Sequence, residues 1–179
     1  HSSFFTTIAK NGGDGGAIYI EGVNTTVENS EFVVTQSALG RGGAIYVNGA
    51  NADIINSTFI RANSTAGCIV YIEGDNADVL DSTFMYSSSN ILENCTGDGN
   101  GGALYIAGDY ARISSDFRFV NATGGVGTPG NGGAIYITGS NINITNSSLF
   151  ATNAKNNGSG GAIYVAGDNV LLDNDTFRS

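Results

Sequence analysis

Apolar residues along this chain recur two apart rather than three or four apart. Ile18 and Ile20, Ile45 and Val47, Val70 and Ile72, Leu104 and Ile106, Ile135 and Ile137, and Ile163 and Val165 each flank a tyrosine. A spacing of two puts both aliphatic side chains on one face of a strand and the residue between them on the other. A second short run carries Val27, Ile54, Val79, Ile113, Ile144 or Leu172, and a third closes on Phe32, Phe59, Phe84, Phe117, Leu149 or Phe177. Every run is bounded by Gly, Asn or Ser, which favour turns, and no segment shows helical spacing of its apolar residues. The pattern predicts an all-β chain built from short strands.

The runs repeat. The hexapeptide Gly15-Gly16-Ala17-Ile18-Tyr19-Ile20 returns in variants from Gly42, Gly67, Gly101, Gly132 and Gly160, at intervals of 27, 25, 34, 31 and 28 residues. A unit of this size has too little chain to enclose its own apolar face and buries it by stacking on its copies. The expected fold is a right-handed, single-stranded parallel β-helix, a β-solenoid of about six coils of 25–34 residues with three short strands per coil. Residues 1–179 read as one such segment of a longer repeat protein. Coils stacked in register repeat each side chain every ~4.8 Å up the wall, which accounts for the asparagines. Asn24, Asn51, Asn76, Asn141 and Asn169 form one column, and Asn29, Asn56, Asp81, Asn146 and Asn174 a second. Asn63, Asn121 and Asn153, with Gln36 and Ser88, form a third.

Composition sharpens this picture. With 27 Gly and 21 Asn in 179 residues the chain is either a flexible linker or an array of tight turns, and the internal period decides for the array. A hydrophobic content of 41% excludes a disordered acidic tail, and no apolar run approaches the length of a helical membrane span. Seven basic against 16 acidic residues leave a net charge of −9, which disfavours nucleic acid and anionic membrane surfaces as partners.

The GGA(I/L)Y(I/V) blocks, paired with blocks such as Asn56-Ser57-Thr58-Phe59 followed by Asn63, resemble the repeats of adhesin-like surface proteins of methanogenic archaea. More loosely, they resemble those of chlamydial polymorphic outer-membrane proteins, whose FxxN block is matched by Phe150 to Asn153. The resemblance covers nearly the whole chain. It implies a right-handed parallel β-helix on a cell surface, acting in attachment or as a stalk, with no catalytic residue to carry over.

Parallel β-helices also carry polysaccharide-cleaving enzymes, so the carboxylates need weighing. Asp53, Asp78 and Arg112 fall at one outward position on successive coils, a set that either binds calcium and polarises a uronate or is a plain surface charge column. Asp75, Asp109 and Asp168 form a similar column in turns. The single histidine, His1, supplies neither a triad nor a zinc site. Gly12-Gly13-Asp14-Gly15-Gly16 and Gly97-Asp98-Asn100-Gly101 faintly resemble calcium-binding nonapeptides but lack the nine-residue period. Cys68 and Cys95 are either bridged between a wall and a loop or buried as free thiols. No catalytic residue, metal or cofactor is assigned, and the chain reads as a non-enzyme.

The most distinctive column is aromatic: Tyr19, Tyr46, Tyr71, Tyr105, Tyr136 and Tyr164. Alternation places these rings opposite the inward aliphatic pairs, as a stripe on the outside of the solenoid. Such a stripe either grips sugar rings or a protein flank, or stabilises the coil by stacking on itself. The long inter-coil segments Ser89 to Asn100 and Ala122 to Asn131 emerge just before the stripe's fourth and fifth rungs, where binding loops would sit. Sequons at Asn24, Asn56, Asn63, Asn94, Asn121, Asn143, Asn146, Asn157 and Asn174 are candidate glycosylation sites for a secreted chain. The leading expectation is an extracellular, cell-surface adhesin-like segment that attaches to a partner glycan or protein. The alternative is a stalk, or a fibre subunit stacking end to end on copies of itself, and the remote one is a polysaccharide lyase or glycosidase.

Overall fold

A computed structural model describes residues 1–66, 69–85, 100–122 and 129–179, and every regular element in them is a β-strand. Six copies of the tyrosine-bearing strand, Ile18–Ile20, Ile45–Val47, Val70–Ile72, Leu104–Ile106, Ile135–Ile137 and Ile163–Val165, form one parallel sheet. Pairing is in register throughout, so Tyr19, Tyr46, Tyr71, Tyr105, Tyr136 and Tyr164 lie directly above one another. Six rungs joined by five pairings make a parallel β-solenoid of about five full turns.

The second and third runs form a larger bent sheet. In the lower coils they are separate strands, such as Ala52–Ile55 and Thr58–Ile60, whereas in the third and fourth coils they merge into Asp78–Met85 and Arg112–Arg118. The structure adds a fourth short strand to the three expected: Ile8–Ala9, Gln36–Arg41, Asn63–Ala66, Asn121–Ala122 and Asn153–Ala154. Its residues are mostly small and polar, so no alternation announces it. Hydrogen bonds between rungs hold it instead, for example from Ser37 Oγ to the Gly13 carbonyl at 2.6 Å.

A left-handed residue turns the chain at each of four corners. Asparagine dominates the first two, as at Asn51 (φ 55°) and Asn56 (φ 45°), because its short polar side chain tolerates this region. The third corner carries Thr6, Val34, Arg61, Phe119 and Ala151, residues with no such preference. Backbone bonds to the next rung, such as Val34 N to Ile60 O at 3.0 Å, fix the geometry there. The fourth corner is the first Gly of each Gly-Gly pair. At Gly42 φ is +64° and a Cβ would overlap the Ile45 carbonyl. The second Gly has a different reason: a Cβ on Gly133 would meet the Gly161 carbonyl of the next coil.

The core is the inside of the tube. Phe32, Phe59, Phe84 and Phe117 are 0% exposed and stack with Phe4 at centroid separations of 4.7–5.0 Å and interplanar angles of 4–8°. Each such side chain contributes about 1.5–3 kcal/mol by leaving water. The asparagine columns are ladders, as expected. Asn51 Nδ2 donates to Asn24 Oδ1 at 2.9 Å, Asn56 to Asn29 at 2.7 Å, and Asn153 to Asn121 at 3.2 Å. The side chain of Asn63 and the whole of Ser88 lie outside the described residues.

Candidate functional site

The tyrosine wall is not one uniform exposed stripe, and here the structure corrects the sequence reading. Tyr19 is 49% exposed, but Tyr46 is 2% and Tyr71 9% exposed. The cover is Arg41, at the end of the fourth strand. Its guanidinium carbon lies 4.4 Å from the centre of the Tyr46 ring and 5.2 Å from that of Tyr71, within cation–π range.

Two carboxylates hold Arg41 there. Asp14, at the equivalent place one coil earlier, pairs with its Nη2 at 2.8 Å and also accepts from the Arg41 backbone N–H at 2.6 Å. Glu73, just after the Tyr71 strand, pairs with Nη1 and accepts from the Tyr46 hydroxyl at 2.6 Å. Tyr19 donates to Glu21 at 2.9 Å. Burial, reinforced by the Glu73 carboxylate, pushes the Tyr46 hydroxyl well above its ordinary range, because a phenolate there would be desolvated and face a negative charge. Burial likewise pushes Tyr71 up to about 12.

Above this clasp the wall changes character. Tyr105, Tyr136 and Tyr164 are partly exposed. Their rings sit 4.9 Å and 5.0 Å apart, and Tyr105 stacks on Tyr71 at 4.3 Å. Their hydroxyls have no hydrogen bond among the described residues. Burial raises Tyr136 above its ordinary range, so its hydroxyl is a neutral donor at physiological pH. Of the two long inter-coil segments expected beside these rungs, residues 86–99 and 123–128 lie outside the described residues, as do Cys68, Cys95, Gly97, Asp98 and the Asn94 sequon.

The charged column is where the sequence placed it: Asp53, Asp78 and Arg112 are register partners on adjacent coils. Arg112 grips Asp78 with both Nε, at 2.7 Å from Oδ1, and Nη2. A carboxylate held by a bidentate arginine is a poor candidate for a base or a calcium ligand. The turn aspartates act on backbone: Asp75 accepts from the Asp109 N–H at 2.8 Å and Asp109 from the Ser140 N–H at 2.7 Å. Asp14, central to the glycine-rich segment that resembled a calcium loop, is committed to Arg41. Of the sequons, Asn24, Asn56, Asn143, Asn146, Asn157 and Asn174 are exposed and Asn121 is partly so. Asn56 and Asn174 donate their amide nitrogens within ladders and Asn24 and Asn146 accept there, leaving Asn143 and Asn157 exposed and outside them.

The clasp was missed because Asp14, Arg41 and Glu73 lie in columns whose residue type varies from rung to rung and keeps no charge pattern. Asp14 and Arg41 share a position with Asn100, Asn131 and Ser159, just before the first Gly, while Glu73 shares one with Glu21 and Asn48, just after the tyrosine strand. Opposite charges flanking the tyrosines on neighbouring coils were the available signal. A separate cleft of about 440 Å³ opens on the third-strand wall between Arg118, Phe119, Ser148, Phe150, Thr176 and Arg178. Among the described residues no helix is long and apolar enough to cross a membrane. Compared with known families, with characterised proteins and with solved structures, the chain matches none.

Proposed function

We propose that this chain is a segment of an extracellular, adhesin-like surface rod that holds a glycan or protein partner against Tyr105, Tyr136 and Tyr164. The observation that carries the reading is the contrast within the wall. Three partly exposed rings, spaced about one strand apart and with no hydroxyl bond among the described residues, follow two rings that the protein itself has covered. Tyrosines in such an array offer apolar area for a sugar face or a side chain, plus a donor at the rim. The rigid in-register sheet presents them at little entropic cost. Asn143 and Asn157 are the sequons best placed to carry glycans on such a surface.

The test is retention of the chain on a panel of immobilised polysaccharides and cell-surface proteins, with release of sugar ends followed in parallel. Tyr136→Ala is expected to weaken retention about tenfold, the loss of roughly one stacked ring, without changing the circular dichroism. Undiminished retention by the folded variant removes the wall as the binding surface, and released ends would replace the reading with an enzymatic one. The sealing of Tyr46 and Tyr71 favours a second reading, a stalk whose ring column serves stability alone. That reading predicts no retention on any matrix.

A further inference from the structure

The outer corner between the second and third strands carries one left-handed residue per coil: Asn29, Asn56, Asp81, Asn146 and Asn174. The fourth coil has none. Its Ser114 pairs with Leu80 and its Ser115 with Ser82, so Asp81 has no counterpart. On the other side Ile113 pairs with Ile144 and Asp116 with Ser148, so three residues, Thr145 to Ser147, face only two. One corner residue is deleted from this rung.

The serine column just behind the corner is unbroken. Backbone N–H groups of Ser57, Ser82 and Ser115 donate to Ser82, Ser115 and Ser147 Oγ at 3.1, 3.3 and 3.2 Å. Coil spacing is therefore kept, and the deletion opens outward as a cleft of about 250 Å³ whose lining includes Asp81, Thr83, Ser114, Asp116 and Asn146.

The ladder's direction dictates what this notch lacks. Each corner amide donates to the rung before it, as Asn56 Nδ2 does to Asn29 Oδ1 and Asn174 Nδ2 to Asn146 Oδ1, both at 2.7 Å. Below the gap the Asp81 carboxylate is therefore an acceptor without its donor. Above it Asn146 Nδ2 is a donor without its acceptor, and neither group is hydrogen-bonded among the described residues. The two corners are two rungs apart, roughly 10 Å. A trans secondary amide points its N–H and C=O in opposite directions, which is the complement of that pair.

We infer that the notch is a binding site for the acetamido group of an N-acetylated hexosamine, whose N–H is received by Asp81 and whose carbonyl is held by Asn146. The rest of the lining selects a sugar over a protein amide. Ser114 and Thr83 hydroxyls match ring hydroxyls, as does the Asp116 oxygen not taken by its 2.9 Å ion pair with Arg118, and no apolar side chain lines the cleft to cover a peptide. The site is on a different wall from the tyrosines and stands independently of their role.

The test is calorimetric or NMR titration with an N-acetylglucosamine oligomer against the glucose oligomer of the same linkage, which has hydroxyls where the first has acetamides. The acetylated oligomer is expected to bind about tenfold more tightly, the discrimination of one well-made polar pair. Inserting an asparagine between Ser114 and Ser115 restores the rung and should abolish the preference. Asn146→Ala, which leaves the backbone untouched, should reduce it by a similar factor, while Tyr136→Ala should leave it intact. Equal affinity for the two oligomers, no binding, or a preference that survives in the folded insertion variant or in Asn146→Ala would overturn the assignment. Tighter binding of an asparagine-containing peptide than of the acetylated sugar would overturn it as well.

Discussion

Two columns of rings climb this solenoid, one of phenylalanine inside the tube from Phe4 to Phe117, where Leu149 takes over, and one of tyrosine on its wall from Tyr19 to Tyr164. Both repeat at 4.3–5.7 Å, set by the spacing of stacked strands. The phenylalanines from Phe32 to Phe117 are uniformly buried, whereas burial along the tyrosines runs from 49% exposed at Tyr19 to 2% at Tyr46 and back to partly exposed at Tyr105. Equal spacing thus does not produce equal environments. Inside, Phe32, Phe59 and Phe84 each lie between two other phenylalanines, so the repeat is sufficient. On the wall, burial depends on what non-repeating side chains lie over each ring, and over Tyr46 and Tyr71 that is Arg41.

The largest break in the comparison comes from the interior. Phe59→Ala removes one ring from a continuous stack and is expected to cost about 3–5 kcal/mol in urea unfolding. A loss under about 1 kcal/mol would mean that the coils collapse around the gap and that the stack is not the main cohesive element.

Arg41→Ala tests the wall. It uncovers two rings and leaves Asp14 and Glu73 without their cation, with an expected cost of about 1–2 kcal/mol, held down because the guanidinium is partly solvated. The chain contains no Trp, so tyrosine emission reports directly. Quenching by iodide should rise in this variant, and unchanged quenching would show that Arg41 is not the cover.

The smallest effect is in pH dependence. Tyr71 is shifted upward, chiefly by burial, from an ordinary value of 10.0 to about 12, and Tyr46 is shifted in the same direction. A raised tyrosine means that the folded state keeps its proton where the unfolded chain has lost it. Stability from these groups is therefore intact below about pH 10 and falls as pH rises from 10 toward 12. Absorbance titration of tyrosinate should show these rings ionising after the exposed ones, and a single transition at the ordinary value would contradict their burial.

Much of this was legible in the chain. Aliphatic pairs two apart, the Gly-Gly hexapeptide and the asparagine columns lead directly to parallel in-register stacking, because a short repeat with one apolar face has no other partner than its own copy. The fourth strand was not legible, since Gln36, Ser37 and Ser64 carry no alternation and are organised by hydrogen bonds to neighbouring coils. Arg41 was passed over for a related reason: a residue that appears once in a column leaves no periodic mark. The coil-four notch was present as a missing residue between Ser114 and Ser115, yet its meaning depends on the ladders on either side.

The repeat alone dictates the all-β solenoid, its core and its asparagine and glycine corners, because those follow from local alternation and from stacking like on like. The tertiary structure decides which tyrosines are sealed and which remain open, and where a ladder has a gap. Those outcomes depend on side chains from different coils meeting across 25 or more positions of sequence, such as Asp14 and Glu73 on Arg41, and a residue's own position in the repeat carries no information about them.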